Sequence, residues 1–342
     1  MSGELSKTIW KMLLPIAIGL CVVAWMFHDE FNPDVFSKFN FSWRTATAIA
    51  VAVVFIIGRD FGLSWRFHTI AGGDLTWRRA VKVDLMCAFT SAITPSVVGG
   101  SALAIFYLNR EGINIGRATT QTLTTLFLDE LFFVVFCPML VMLIPDADLF
   151  GAAQTHAETL LTGIRVVFWL VYAGIVIWTA ILFTGIILRP AAVARGLHRL
   201  FSIRLLRRWQ SAIDRTADNM VETSAFVKNA SMGWWARVFG ATVVSWFSRY
   251  LVVNALFWGF VPAASGLLVF GRQFVVWVVL MVSPTPGGSG ISEWLFTNYY
   301  GDLIGDVSVA LVIALVWRLL SYYVYLVAGC CLLPSYFSKK QK

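Results

Sequence analysis

Ser283-Pro284-Thr285-Pro286-Gly287-Gly288-Ser289-Gly290 breaks an otherwise apolar region, residues 263 to 305, and Thr94-Pro95-Ser96-Val97-Val98-Gly99-Gly100-Ser101 breaks another, residues 80 to 117. Proline removes a backbone donor and clashes with the preceding turn, and glycine is a poor helix former, so each cluster ends one helix before the next begins. The arms on either side, such as Ala80 to Thr94 and Leu267 to Val282, run to roughly 15 residues, against about 20 for a helix that crosses a bilayer. Each region is therefore expected to be a re-entrant hairpin that returns to the side it entered. The alternative is a single kinked spanning helix with a packing glycine pair.

The surrounding chain sets the context. Of 342 residues, 58% are hydrophobic and 13% charged, and mean hydropathy is +0.74. Soluble domains average roughly 45–50% apolar and about 25% charged, so a soluble enzyme and a disordered chain are both excluded. Six stretches are long and apolar enough, or nearly so, to span: 9 to 27, 43 to 62, 118 to 144, 161 to 188, 238 to 262 and 306 to 333. The first follows Lys7 and Lys11 as a signal peptide would, but its end, Ala24 to His28, offers no small-residue cleavage site, so it reads as a retained helix. The expected fold is an all-α polytopic membrane protein with about six spanning helices and two re-entrant hairpins. Gly99-Gly100-Ser101-Ala102 aligns with Gly287-Gly288-Ser289-Gly290, so residues 43–144 and 238–333 read as an inverted repeat, joined by a linking helix at 161–188 and a basic loop at 189–237, all in one domain.

The net charge of +8 in a soluble protein would suggest nucleic acid; here it reads as orientation. Of 27 Lys and Arg residues, 21 fall in segments 1 to 11, 59 to 82, 109 to 117, 189 to 237 and 334 to 342. Segment 28 to 44 has two and 145 to 160 has none. The expectation is an integral protein of the cytoplasmic (inner) membrane with both termini cytoplasmic, the first hairpin entering from the cytoplasm and the second from outside. Within the long loop, Leu200, Ile203, Leu206, Trp209, Ile213 and Met220 recur at helical spacing among arginines, which suits either a helix on an anionic leaflet or a linker packed on the protein.

Ionisable residues inside spanning segments cost roughly 2.5–3.5 kcal/mol each on insertion scales, which makes them functional candidates. Asp129 and Glu130 lie near mid-helix in 118 to 144, Arg249 in 238 to 262 and Arg318 in 306 to 333, with Glu293 just beyond the second tip. Thr122, Thr125 and Asp129 share a helical face, so the acids and Arg318 could line opposite walls of one cavity. An ion-paired lock such as Glu293 with Arg318 is the structural alternative. Helix N-termini carry partial positive charge, so the arms beginning after Gly100 and Gly288 are candidates for holding a lipid phosphate, with glycine for close helix packing as the competing explanation. The binding set read from this pattern is Pro95, Gly99, Gly100, Ser101, Asp129, Glu130, Arg249, Pro286, Gly287, Gly288, Ser289, Gly290, Glu293 and Arg318.

Enzyme chemistry finds little support. Ser289 sits in a GxSG pattern, but His28, His68, His156 and His198 fall in loops or at segment ends, so a base is wanting. There is no ATP-binding GxxxxGK[ST] loop and no HExxH. Cys21, Cys87, Cys137, Cys330 and Cys331 show no metal spacing and read as core residues. No cofactor, metal or catalytic residue is expected.

Pro284-Thr285-Pro286-Gly287-Gly288-Ser289-Gly290-Ile291-Ser292-Glu293, followed by Trp317-Arg318, resembles the Pro-x-Pro-Gly-Gly-x-Gly-x-x-Glu signature and aromatic-Arg pair of the transmembrane region of lysylphosphatidylglycerol synthases. Thr94-Pro95 through Gly99-Gly100 to Tyr107-Leu108 and Gly112 is similar to the family's first cluster, and the resemblance extends over about residues 10 to 333. It implies a lipid translocase, a stand-alone member without the soluble synthetase domain and so not the aminoacylating enzyme. Two departures stand out: Asp129-Glu130 occupies the place of a frequent Glu-Arg pair, and Gly100 and Leu103 replace an acid and an arginine at the first tip. The head group is thereby left open.

The function expected is a flippase for a phosphate-bearing lipid, either a phospholipid, aminoacylated or not, or a polyprenyl-phosphate carrier. The alternative is a non-transporting subunit that presents a lipid carrier to a separate glycosyl- or aminoacyl-transferase. Membrane lipid is the expected partner, with a homo-oligomer or a lipid-modifying enzyme as possible protein partners and no nucleic acid.

Overall fold

The computed structural model describes residues 42–94, 99–151, 158–189, 191–192, 195, 221, 224–225, 227–285 and 287–338. Among these residues every regular element is helical: α1 (Trp43–Ile70), α2 (Trp77–Ile93), α3 (Gly99–Arg110), α4 (Ile115–Leu143), α5 (Asp146–Phe150), α6 (Glu158–Phe183), α7 (Met232–Phe260), α8 (Gly266–Leu280), α9 (Ile291–Tyr299), α10 (Gly301–Ile304), α11 (Val307–Arg318) and α12 (Val324–Ser338). Side-chain caps start several of them, as such residues do by satisfying an orphan amide: Asn114 accepts from Gly116 N at 2.9 Å, Ser231 from Trp234 N at 3.2 Å and Asp306 from Ser308 N at 2.9 Å. The expected span at 9–27, the amphipathic segment at 200–220, Pro95, Pro286, Cys21, His28, His156 and His198 lie outside the described residues.

The chain is an all-α polytopic membrane protein. Among the described residues, four helices are long and apolar enough to cross a bilayer: Trp43–Ile70, Ile115–Leu143, Thr162–Phe183 and Val307–Leu333. The stretch expected at 238 to 262 is a 29-residue helix, long enough by size but absent from that set. Its Arg, Ser, Gly and Trp residues lower its hydropathy, and it packs more extensively with α1 than any other pair of helices pack. Gly62 permits this approach, since a Cβ there would lie 2.7 Å from the Ala241 carbonyl oxygen. Phe132, Phe133, Trp246, Tyr250 and Phe274 then join α4, α7 and α8 in one aromatic core, with ring centroids 5.4 Å apart for Phe132–Phe274 and 4.5 Å for Tyr250–Phe274. The cysteine expectation holds for Cys137, which is buried; Cys330 and Cys331 are exposed on α12.

One expectation is corrected. The stretch 43 to 62 continues as helix to Ile70, so Arg59 and Arg66, counted above as loop charges, are buried within α1. Removing them leaves the sign of the basic imbalance unchanged.

The two Pro/Gly regions fold as helical hairpins. At the open base of the first, Arg79 and Lys82 of α2 meet the buried Glu111 just after α3, at 3.7 and 3.6 Å. At the base of the second, Arg272 of α8 donates to the Tyr299 carbonyl at 2.8 Å and to Asp302 at 2.5 and 2.7 Å. The tips touch: Gly287 N–H donates to the Thr94 carbonyl at 3.1 Å, and the Tyr322 hydroxyl to the Ala92 carbonyl at 3.2 Å. α4 serves as a ruler between the bases. Its start follows Glu111 directly, while Asp148, just past its end, accepts from Arg272 at 2.8 Å through its carbonyl. Its 29 residues extend about 43 Å at 1.5 Å per residue. The hairpin bases thus sit at opposite ends of α4.

The glycine registers of the two tips differ in backbone, although they align in sequence. Gly99 and Gly100 already belong to α3, which starts two residues earlier than expected. Gly287, Gly288 and Gly290 instead have φ of 55°, 72° and 81° in a turn before α9.

Candidate functional site: a charged cavity at the hairpin tips

Between α1, α2, α4, α7, α8, α11 and the tip at Gly287 lies a cavity of about 180 Å³. Its charged wall consists of Arg59, Arg66, Asp84, Asp129, Glu130, Arg249 and Arg318. Four of the residues singled out in the sequence for their charge are brought together here, and so is Gly287.

Three arginines are already matched. Arg66, 1% exposed, grips Asp129 in a two-pronged contact at 2.6 and 3.0 Å, and Asp129 also accepts from Trp246 Nε1 at 2.7 Å. Arg318 Nε donates to Glu293 at 2.8 Å, and its remaining nitrogens reach the Gly287 carbonyl at 3.3 Å and Ser289 Oγ at 3.4 Å. Arg59 meets Asp60 at 2.7 Å and lies 4.3 Å over the Tyr325 ring, whose hydroxyl donates to the same carboxylate at 2.8 Å. Each pairing spreads charge within a low-dielectric region where an isolated ion would cost several kcal/mol or more.

Arg249 is different. Its guanidinium lies 5.0 Å from the Trp246 ring and 4.4 Å from the Trp277 ring. Among the described residues no carboxylate lies within ion-pair distance of it. A cation held by aromatic faces keeps its hydrogen-bond donors free for an incoming anion.

Unpaired polar groups converge on the same space. Thr122 Oγ1, Thr125 Oγ1, Tyr250 OH, Trp277 Nε1 and Glu130 Oε2 are buried without a hydrogen-bond partner among the described residues, and all five residues line the cavity. Thr119, Thr120 and Thr124 of the same helix bond back to the carbonyl four residues earlier, at 2.8, 3.3 and 2.8 Å. Thr122 and Thr125 do not. An unpaired buried polar atom costs about 1–3 kcal/mol, so five around one cavity are a large fraction of the about 5–15 kcal/mol that holds a fold together. Such a set is suited to engaging a polar guest.

The remaining sequence candidates serve the tip. Glu293 is 3% exposed and does not line the cavity; its second oxygen accepts from Gly290 N at 2.7 Å and Ser292 Oγ at 2.8 Å, so it ties the start of α9 to Arg318. Gly288, Ser289 and Gly290 lie in that same turn, behind Arg318. The amides expected to hold phosphate at the arm N-termini are thus engaged internally, Gly290 by Glu293 and Gly100 by Ser91 Oγ at 2.9 Å. Gly100 is a close-approach glycine: a Cβ there would run into the Cys87 carbonyl and the Ser91 hydroxyl. Ser101 begins α3 together with Gly99. No histidine among the described residues lies beside Ser289; His68 instead packs 4.7 Å from Trp77.

Sequence reasoning missed Arg59, Arg66 and Asp84, as well as the aromatic partners of Arg249. A signal existed for the arginines. Arg59, Gly62 and Arg66 recur three and seven residues apart on one helical face, a pattern a loop has no reason to keep. The π-helical turn Leu319–Tyr323 that follows Arg318 sets Tyr322 3.9 Å from the guanidinium, and it left no mark in the sequence. π-bulges of this kind recur at functional sites.

Fold and cavity together define a class: a helical integral membrane protein whose paired hairpins enclose a charged chamber. The family is shown by comparison. Residues 12–329 match the model of the lysylphosphatidylglycerol synthase TM region, and the chain belongs to that family. It is also similar to a UPF0104 membrane protein of Archaeoglobus fulgidus, 20% identical over 348 residues that cover 96% of this chain and 99% of the relative. No solved structure matches.

Proposed function

We propose that this protein is a flippase that carries a phosphate-bearing lipid between the leaflets of the cytoplasmic membrane, with the head group passing through the cavity and the acyl chains remaining in lipid. The observation that carries this reading is Arg249: a cavity-lining cation, caged by two tryptophans, with no carboxylate within ion-pair distance among the described residues, beside a set of unpaired hydroxyl and indole groups. Arg249 would contact phosphate directly, joined by Thr122, Thr125 and Tyr250. Glu130, whose carboxylate has one unpartnered oxygen facing the same space, would take a cationic part of the head group or a proton. Arg318 and Glu293 would hold the second tip and gate access.

The hairpin bases at opposite ends of α4 support a re-entrant arrangement from opposite faces, which is the architecture in which broken helices surround a midplane site. The basic imbalance supports cytoplasmic termini.

The reading predicts what co-purifies. Mass spectrometry of lipid carried by the protein in mild detergent should find phosphate lipids enriched over the bulk membrane, and Arg249→Ala should lose that enrichment. Equal lipid content in wild type and variant would refute the assignment of Arg249. A subunit that only presents lipid to a separate transferase would retain lipid but move none in liposomes.

A further inference from the structure

We propose that the groove between the end of α1, the start of α2 and the start of α7 is a second lipid site, which holds an anionic phospholipid by its phosphate and lies off the transport path. The inference is independent of the cavity and of Arg249; on the topology proposed above, the groove lies in the cytoplasmic leaflet.

The groove measures about 360 Å³ and is lined by Trp65 and His68 of α1, Trp77 of α2, and Trp234 and Arg237 of α7, with Gly72 and Gly73 in the link between α1 and α2. α1 separates it from the cavity. Arg59, Leu63, Arg66 and Phe67 line the cavity, while Trp65, His68 and Thr69 line the groove. At about 100° per residue the two sets fall on opposite faces of one helix.

The aromatic rim is a connected set: the Trp77 ring centroid lies 4.7 Å from that of His68 and 5.8 Å from that of Phe61, which in turn lies 6.0 Å from that of Trp65. Tryptophans at a membrane interface commonly act as anchors, and anchoring needs neither a hollow nor a cation. Both are present here. Gly72 and Gly73 have φ of 63° and 100°, and a Cβ on either would meet nothing within 4 Å, so the space beside them is open. Arg237 Nε donates to the Gly233 carbonyl at 3.2 Å, while its terminal nitrogens have no partner among the described residues. Asp74, the acid of the adjoining link, is taken by Arg117 at 2.5 Å. His68 donates from Nδ1 to the Leu75 carbonyl at 2.6 Å, because a carbonyl only accepts, and Nε2 is left for a ligand.

A guanidinium with two open nitrogens suits a phosphate, and indole rings suit the glycerol and upper acyl region, where one edge is wet and the rest apolar. Free phosphate would use the arginine and gain nothing from three indoles, so the occupant is the lipid. Seated there, it bridges α2, the first arm of the first hairpin, to the closely packed pair of α1 and α7.

Residues 71–76 report on the groove. Gly72 and Asp74 donate only long bonds of 3.3 Å, to the Thr69 and Ala71 carbonyls, and such exposed backbone exchanges its amide hydrogens readily. The full-length protein in phosphatidylcholine nanodiscs, with and without phosphatidylglycerol, is followed by hydrogen–deuterium exchange. Phosphatidylglycerol should slow exchange in this link about tenfold or more, the worth of one charge-assisted contact. Arg237→Ala should abolish the slowing and Arg249→Ala should keep it. Equal exchange in the two nanodiscs, or slowing that survives Arg237→Ala, overturns the site. Slowing produced by inorganic phosphate in phosphatidylcholine nanodiscs overturns the lipid as occupant. Slowing lost in Arg249→Ala would mean that the link answers to the cavity; a separate site then falls while the transport reading stands. If the protein moves no lipid but the slowing and its dependence on Arg237 are seen, the transport reading fails and the groove site stands.

Discussion

Asp129 and Arg249 face one cavity in opposite conditions, the first saturated by Arg66 and Trp246, the second open between two indole rings. Asp129→Asn leaves Arg66 buried without a counter-charge, and breaking a buried pair in this way costs about 3–5 kcal/mol. Unfolding of the detergent-solubilised protein should show that loss, and the paired change Arg66→Met with Asp129→Leu should recover most of it. A double variant as unstable as the single one would contradict the pairing. Arg249→Ala forfeits only cation–π contacts of about 0.5–2 kcal/mol, so its stability should stay near wild type while lipid binding is lost. Legibility at this scale followed hydropathy. Asp129, Glu130, Arg249 and Arg318 interrupt apolar runs and could be read from sequence alone. Arg66 lies where a helix continues beyond its apolar stretch, and hydropathy does not distinguish such a continuation from a loop; Arg59, at the end of the stretch 43 to 62, was counted with that loop, and Asp84, within the short arm Ala80 to Thr94, went unread.

The hairpins were legible as elements because proline and glycine act locally, and both Pro/Gly clusters do separate short helices. Their internal geometry was not, since a Gly-Gly pair permits a helix start at Gly99 as readily as the left-handed turn at Gly287 and Gly288. What decides between them is the neighbour across the tip. A Cβ on Gly287 would collide with the Tyr322 ring and press on the Ala92 carbonyl, while one on Gly112 would meet nothing within 4 Å. Both glycines have positive φ, 55° and 102°, so the backbone penalty of an alanine, about 1–2 kcal/mol, is shared. Gly287→Ala should therefore abolish lipid movement and lower thermal stability further than Gly112→Ala, which should remain active. Equal effects would mean that the tip contact has no functional weight.

Across the whole molecule, the hairpin bases at opposite ends of α4 and the tips in contact between them make one prediction about topology. In a background with the five native cysteines replaced, Asn109→Cys at the base of the first hairpin should react with an impermeant maleimide from the cytoplasmic side, and Ala264→Cys, ahead of α8, from the outer side. Labelling of both from one side would break the inverted arrangement. The central claim is that the open cation in the cavity moves lipid phosphate across the membrane, and its most direct measurement is translocation of fluorescent phosphatidylglycerol in proteoliposomes, read by quenching of the outer leaflet. Wild-type protein should expose the inner-leaflet probe to the quencher far faster than protein-free liposomes, with Arg249→Ala reduced to the protein-free rate. Wild type no faster than empty liposomes, or Arg249→Ala as fast as wild type, would contradict it.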